Sequence, residues 1–203
     1  MNQKNKAYNF PRGNGFGRMS IVNGGLFDLV NPDPKMVELP HIARALSNQA
    51  RFNGQTYAPY SVAQHSVLCY EYGKRMGWAT EILQWMLMHD AAEAYIGDVI
   101  RPIKRNLQPF KRLERNVMTA IVTRFGLHTP IPVPEIKSTD TLIMYLEMKH
   151  FYADADWSQP ELYSIQDAVR LCKFEESDGP DGCWDHEHAC SQFTLAAEEV
   201  GIE

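Results

Sequence analysis

Residues 81–92 constrain the fold more than any other stretch. Ile82, Leu83, Trp85, Met86, Leu87 and Met88 leave a helix there with almost no polar face. A helix that is apolar on nearly all sides needs cover from its neighbours, so this spacing predicts a central, buried helix within a helical assembly. Thr80 is placed to cap it. The far end of the segment is different in kind, because Met88 runs directly into His89, Asp90, Ala91, Ala92 and Glu93. Ionisable groups at the end of so apolar a helix need partners, since burying unpaired charge is costly.

The flanking segments supply candidates for the cover. Leu39, Ile42, Ala43, Leu46 and Ala50 recur at three- and four-residue steps, giving one apolar helical face before Gly54 breaks the run. Ser61, three residues before Gln64, has the pattern of a capping box opening a helix over 62–76, and Gly77 closes it. Pro109 suits the first position of a helix that ends near Phe125 and Gly126. The run HTPIPVPE reads as a rigid loop, followed by a helix over 135–153. A further helical segment is expected at 162–174, then a polar loop rich in Gly and Asp, then a short final helix from about Ser191.

Residues 1–35 carry many turn signals and read as an irregular arm with one short extended piece at 19–22. Its Gly13, Gly15 and Gly17 have neither a preceding apolar strand nor a following amphipathic helix, so they read as a flexible loop and not as a phosphate cradle. Strand-like alternation is scarce. The expected class is all-α, with the arm at 1–35 and one helical domain over 36–203.

Bulk properties narrow the function. The 203 residues are 44% hydrophobic and 22% charged, which suits one globular core. A net charge of −5 argues against a duplex-binding protein, so no nucleic-acid partner is expected. No stretch is long enough to span a bilayer, so no membrane partner is expected. The polar N-terminal residues and four unevenly placed cysteines read as a cytoplasmic chain with reduced thiols.

A metal ion would account for the charges at the end of the apolar segment. Neutral imidazole and ionised carboxylate both bind divalent transition metals, and the cation offsets the burial of the carboxylate. His65 lies on the preceding helix with Val62 and Cys69 at i−3 and i+4, on its core-facing stripe. Asp140 lies on a later helix beside Ile143 and Met144, where its carboxylate could close a site with His65, His89 and Asp90. A lone histidine on an apolar face is more often a hydrogen-bonded core residue, and spacing by itself leaves both readings open. A second set, Cys183, His186, His188 and Cys190, could nominally provide four zinc ligands, against the plainer reading of a polar loop.

The segments YSVAQHSVLCY at 60–70 and LMHDAAEAYIGDVIRPIK at 87–104 resemble the signature segments of the HD-domain phosphohydrolases. The resemblance runs from about Gly17 to His150 and is strongest to 5′-deoxynucleotidases and compact phage dATP triphosphohydrolases. It implies a helical bundle of HD type and a homo-oligomer. It makes His65, His89, Asp90 and Asp140 the ligands of a divalent transition ion (Co, Mn, Zn, Ni or Fe), with an additional Mg ion for a triphosphate substrate. Glu93 corresponds to the carboxylate that acts on the nucleophilic water, and Asp98 to an Asp near the sugar. Arg51 and Phe52 correspond to an Arg-Trp pair that contacts phosphate and crowds the ribose 2′ position. Phe replaces Trp here and the spacing differs by one. Lys104 matches a phosphate-binding lysine.

The implied activity is hydrolysis of a deoxynucleotide. The basic residues Arg101, Lys104, Arg105, Lys111, Arg112 and Arg115 favour a triphosphate, dATP by resemblance, with release of the deoxynucleoside and tripolyphosphate. The alternatives are a nucleotidase acting on the monophosphate, a non-catalytic metal-stabilised nucleotide-binding module, and a hydrolase of cyclic dinucleotides or alarmones.

Overall fold

The computed structural model describes residues 17–22, 24–152 and 182–203. The described residues are all-α apart from one small hairpin. Most of the glycine run at 13–17, the helix expected at 162–174, and Cys172 lie outside the described residues.

The arm is more structured than its turn signals suggest. β1 (Arg18–Ser20) pairs antiparallel with β2 (Leu26–Asp28), with Met19 opposite Phe27. Three-residue strands are too short to show alternation, which is why the second strand escaped the sequence reading. Phe27 is fully buried and stacks on Tyr95 with ring centroids 4.1 Å apart. Asn116 Nδ2 donates to the Val30 carbonyl at 2.8 Å, tying the arm to the helical body.

α1 (Leu39–Asn48) buries Leu39, Ile42, Ala43 and Leu46, the face its periodicity predicts. The chain then makes a loop closed at its base, where Arg51 N–H donates to the Tyr60 carbonyl at 2.9 Å and Val62 N–H to the Gln49 carbonyl at 3.0 Å. Inside that loop Phe52 and Asn53 hold left-handed backbone, with φ of 53° and 58°. Such a conformation is uncommon for a non-glycine residue, and it is most unusual for a bulky side chain.

α2 (Val62–Arg75) begins as expected, with Ser61 Oγ accepting from Gln64 N–H at 3.1 Å. The return half of the capping box is missing. Gln64 instead donates from Nε2 to the Gly182 carbonyl at 2.8 Å and accepts from Trp184 N–H at 3.0 Å, anchoring the C-terminal segment. Gly77, with φ of 71°, ends the helix after the Met76 cap.

α3 (Thr80–Met88) is capped by Ala79, so Thr80 is its first helical residue and makes no cap. Its second half is buried, but α2 is the more enclosed helix. Every residue from Val62 to Tyr70 is buried, and α2 packs against α1, α3, α7 (Val133–Phe151) and α8 (His186–Glu199). Gln64, His65 and Ser66 disguise this in the sequence, because polar residues read as a wet face. Burial of Gln64 and His65 is possible because each has buried partners.

The helix expected over 81–92 stops at Met88. Ala91 N–H then donates to the Met88 carbonyl and Glu93 N–H to the Asp90 carbonyl, at 3.0 and 2.9 Å. These three-residue steps make a tight turn that carries His89 and Asp90 into α4 (Glu93–Ile96). α5 (Arg101–Lys104) and α6 (Gln108–Phe125) follow, with Pro109 second in α6 and Gly126 in left-handed conformation at its end. α7 starts and stops two residues earlier than expected. α8 starts five residues before Ser191, because Asp185 Oδ1 accepts from His188 N–H at 2.7 Å and caps it. No helix among the described residues is long and apolar enough to cross a membrane.

Candidate metal centre

α3 and α7 pack on α2 and on each other, and the turn after α3 closes the space between them. His65 points from α2, His89 and Asp90 come from the turn, and Asp140 comes from α7. His65 Nε2 lies 3.4 Å from Asp140 Oδ1 and 4.0 Å from Asp90 Oδ2. His89 Nε2 lies 3.3 Å from Asp90 Oδ2, and the two imidazole centroids are 5.4 Å apart. The structure therefore gathers all four residues singled out in the sequence.

Both rings are held from behind. His65 Nδ1 contacts Glu147 Oε1 at 2.6 Å, and His89 Nδ1 contacts the Met86 carbonyl at 2.8 Å. A carboxylate and a carbonyl can only accept, so each Nδ1 carries the proton and each Nε2 faces inward. This is the arrangement by which outer partners set the tautomer and direction of a ligating imidazole.

Glu147 is the functional residue that sequence reasoning missed. It is fully buried on α7, it also accepts from the Tyr60 hydroxyl at 2.7 Å, and its Oε2 forms an ion pair with Arg51 Nη2 at 3.1 Å. Its signal was its register, seven residues and two turns after Asp140, on the stripe that includes Ile143. Burial works against its charge, but Arg51, His65 and Tyr60 more than compensate and hold its pKa below the usual range. Arg51 is likewise buried against its charge and kept cationic by Glu147 and Asp90, whose Oδ2 is 3.7 Å from Nη1.

Cys69 is the second omission. His65, Cys69 and His89 form a group whose ligand atoms all lie within 4.8 Å of one another, and this group could hold a metal ion. Cys69 stood in the sequence only as a marker of the buried stripe. The second set, which the sequence reads first as a polar loop, is not brought together as a metal group among the described residues. The Asp185 cap starts α8 in the middle of it, leaving Cys183 buried before the helix and His186 exposed on it. His188 packs edge-on against Trp184 at 5.1 Å.

A cavity of about 270 Å³ opens beside the centre. Its lining includes Arg51, Phe52, Asp90, Glu93, Asp98, Arg101, Lys104 and Asp140, so the substrate-contact candidates share one space with two of the candidate ligands. Glu93 is nearly buried, and Lys104 Nζ sits 3.3 Å from its Oε1 while Oε2 has no partner. Burial, reinforced by the charges of Asp90 and Asp98, pushes the Glu93 carboxyl up to about 9 despite Lys104 and Arg51. Burial also raises Asp98. Asp140 goes the other way, to about 2, because His65 and His89 outweigh its burial. For His89, burial opposes the charge, yet the adjoining Asp90 carboxylate lifts its pKa to about 9.

These groups fit a bound cation. Asp90 and Asp140 are held ionised at the cavity wall by the histidines and, for Asp90, by Arg51. Lys104 is already paired with Glu93 and Glu114, and Arg101 with Asp140. His89 Nε2 is buried without a hydrogen-bond partner. A donor set of imidazole, carboxylate and thiol is one that divalent transition ions take.

No family model matches the chain. An uncharacterized protein of Rhodobacter capsulatus is 34% identical over 158 residues, covering 73% of this chain and 80% of its own length. The uncharacterized protein YfdR of Escherichia coli K12 is 34% identical over 139 residues, covering 68% of this chain and 74% of its own length. At that identity and coverage, the chain belongs to the protein family that includes YfdR and its Rhodobacter counterpart.

Proposed function

We propose that the protein is a metal-dependent phosphohydrolase of the HD-domain type acting on a deoxynucleotide. The observation that carries this reading is the convergence of His65, His89, Asp90 and Asp140, with both Nε2 atoms turned inward, at the wall of a cavity that also holds Glu93, Arg51 and Lys104. The four residues would hold a divalent transition ion of the Co, Mn, Zn, Ni or Fe group. When bound, such an ion supplies Lewis acidity that activates water and the phosphoryl group at neutral pH.

The chain's own residues divide the remaining work. Glu93 Oε2 is placed to take the proton of the attacking water as its oxygen bonds to phosphorus and the bond to the leaving oxygen breaks, once a bound cation offsets the Asp90 and Asp98 charges that, with burial, hold the carboxyl protonated at neutral pH. Arg51, Arg101 and Lys104 stabilise charge that accumulates on phosphate oxygens. Phe52, held in strained backbone at the cavity wall, packs on the sugar and crowds a 2′-hydroxyl.

The resemblance favours a deoxynucleoside triphosphate such as dATP. A second reading, a 5′-deoxynucleotidase, draws support from the cavity, because only Arg101 and Lys104 of the six basic residues between 101 and 115 line it. A panel of deoxy- and ribonucleoside mono- and triphosphates, assayed with each metal and resolved by chromatography, separates the two. Tripolyphosphate as product supports the triphosphate, and phosphate alone supports the nucleotidase. Glu93→Gln should lower turnover by roughly 10²- to 10⁴-fold while leaving metal content intact. Absence of turnover on every nucleotide by the metal-loaded wild type sinks the enzyme reading.

A further inference from the structure

Cys69 lies one turn after His65 on α2 and is fully buried. Its Sγ is 3.6 Å from His65 Nε2. A thiol donating weakly to an imidazole is the ordinary account of such a contact. Two features of the surroundings do not suit that account, and a third fits a shared ion equally well.

The first is what else faces His65 Nε2. Glu147 occupies Nδ1, so Nε2 is the nitrogen that faces Cys69, Asp140 Oδ1 at 3.4 Å and Asp90 Oδ2 at 4.0 Å. One proton, on sulfur or on nitrogen, serves one of these contacts, while a cation serves all of them. The second is His89, whose side chain is 8% exposed and whose Nε2 points into the same group without a hydrogen-bond partner. The third is the distance itself. Bonds of about 2.1 Å to an imidazole nitrogen and about 2.3 Å to a thiolate, at a tetrahedral angle, set nitrogen and sulfur about 3.6 Å apart. The structure has that separation between residues already joined by one helical turn.

We propose that Cys69 is a metal ligand, binding as a thiolate beside His65 and His89, and that it makes the centre select a thiophilic ion of the zinc, cobalt or iron class over magnesium or manganese. The inference rests on the metal centre described above and narrows it. The thiol gives its proton to solvent on binding, and a soft sulfur donor strengthens the preference for borderline-soft cations that the imidazoles begin.

Cobalt(II) loaded into the purified full chain tests this directly. A thiolate ligand adds a sulfur-to-cobalt charge-transfer band in the near ultraviolet, beside the visible d–d bands that any protein-bound cobalt shows. The expected result is both sets in the wild type, with the ultraviolet band lost in Cys69→Ser and kept when each of the other three cysteines is replaced by serine. Zinc affinity, measured by chelator competition, should fall in Cys69→Ser by at least about tenfold, the lower end of what loss of even an outer partner costs. Manganese affinity should be unchanged. Visible bands without the ultraviolet band overturn the role of Cys69 and leave the metal centre standing. An ultraviolet band that survives Cys69→Ser also overturns it. Failure to retain any cobalt overturns the metal centre and this inference together.

Discussion

Replacing Glu147 by glutamine changes one atom in the wall behind the metal centre, and its consequences can be worked from the contacts. Oε1 accepts from the Tyr60 hydroxyl at 2.7 Å and from His65 Nδ1 at 2.6 Å, and the amide oxygen can keep both at reduced strength. Oε2 faces Arg51 Nη2 at 3.1 Å, and an amide nitrogen there sets donor against donor. Arg51 then keeps the longer 3.7 Å contact to Asp90, while remaining nearly buried. Breaking a buried ion pair by neutralising one partner costs about 3–5 kcal/mol, and the remaining Asp90 contact keeps the loss toward the lower end. A loss near 3 kcal/mol corresponds to a fall in Tm of about 6–12 °C for a chain of this size. Because the same change weakens the hold on the His65 tautomer, zinc affinity should drop by about 10- to 100-fold. Thermal melts of the metal-free protein measure the first effect, and chelator competition measures the second. A Glu147→Gln protein that melts with the wild type and binds zinc as tightly refutes the role assigned to this network.

Chelation should lower the melting temperature of the metal-loaded protein. Metal present at about 1,000 times its Kd contributes about 4.1 kcal/mol, or about 8–16 °C in Tm, and readdition should restore it. An unchanged melt after verified metal removal counts against the centre. In the metal-free protein, pH should act through Glu93 and His89. Glu93 rises from 4.5 to about 9, so its contribution to stability is fully present below pH 4.5 and is lost as the pH climbs to about 9. His89 rises from 6.5 to about 9, so its contribution is lost over the upper part of the same range. Tm should therefore fall between pH 6.5 and 9, less steeply in Glu93→Gln; a flat or rising profile contradicts the electrostatics. Gly73→Ala tests the packing of α2 on α3, because an added Cβ would sit 3.0 Å from Leu83 Cδ2 and 3.2 Å from Trp78 Cε3. Overpacking of about 1–3 kcal/mol should exceed the helix-propensity gain of about 1 kcal/mol, and a raised Tm would show that the two helices are not so close.

Much of the fold was legible because its signals are local. The face of α1, the Ser61 cap of α2 and the Gly126 end of α6 each follow from a few adjacent residues. The His89–Asp90 pair announced itself by standing at the end of the most apolar segment. What stayed hidden depends on contacts between distant residues. Glu147 looks like a solvated helix residue until Arg51 and Tyr60 are seen around it. Cys69 looks like core until His65 has a direction, and periodicity alone gives His65 none. That direction comes from Glu147, 82 residues further on, which occupies Nδ1 and leaves Nε2 toward the thiol. The histidine could be found from the sequence as a candidate, but which atoms it shares a site with follows only from the partner on its other nitrogen. A ligand set in such a bundle is therefore read most securely from the acceptors behind the imidazoles, and here they point both rings at Cys69 as well as at the two aspartates.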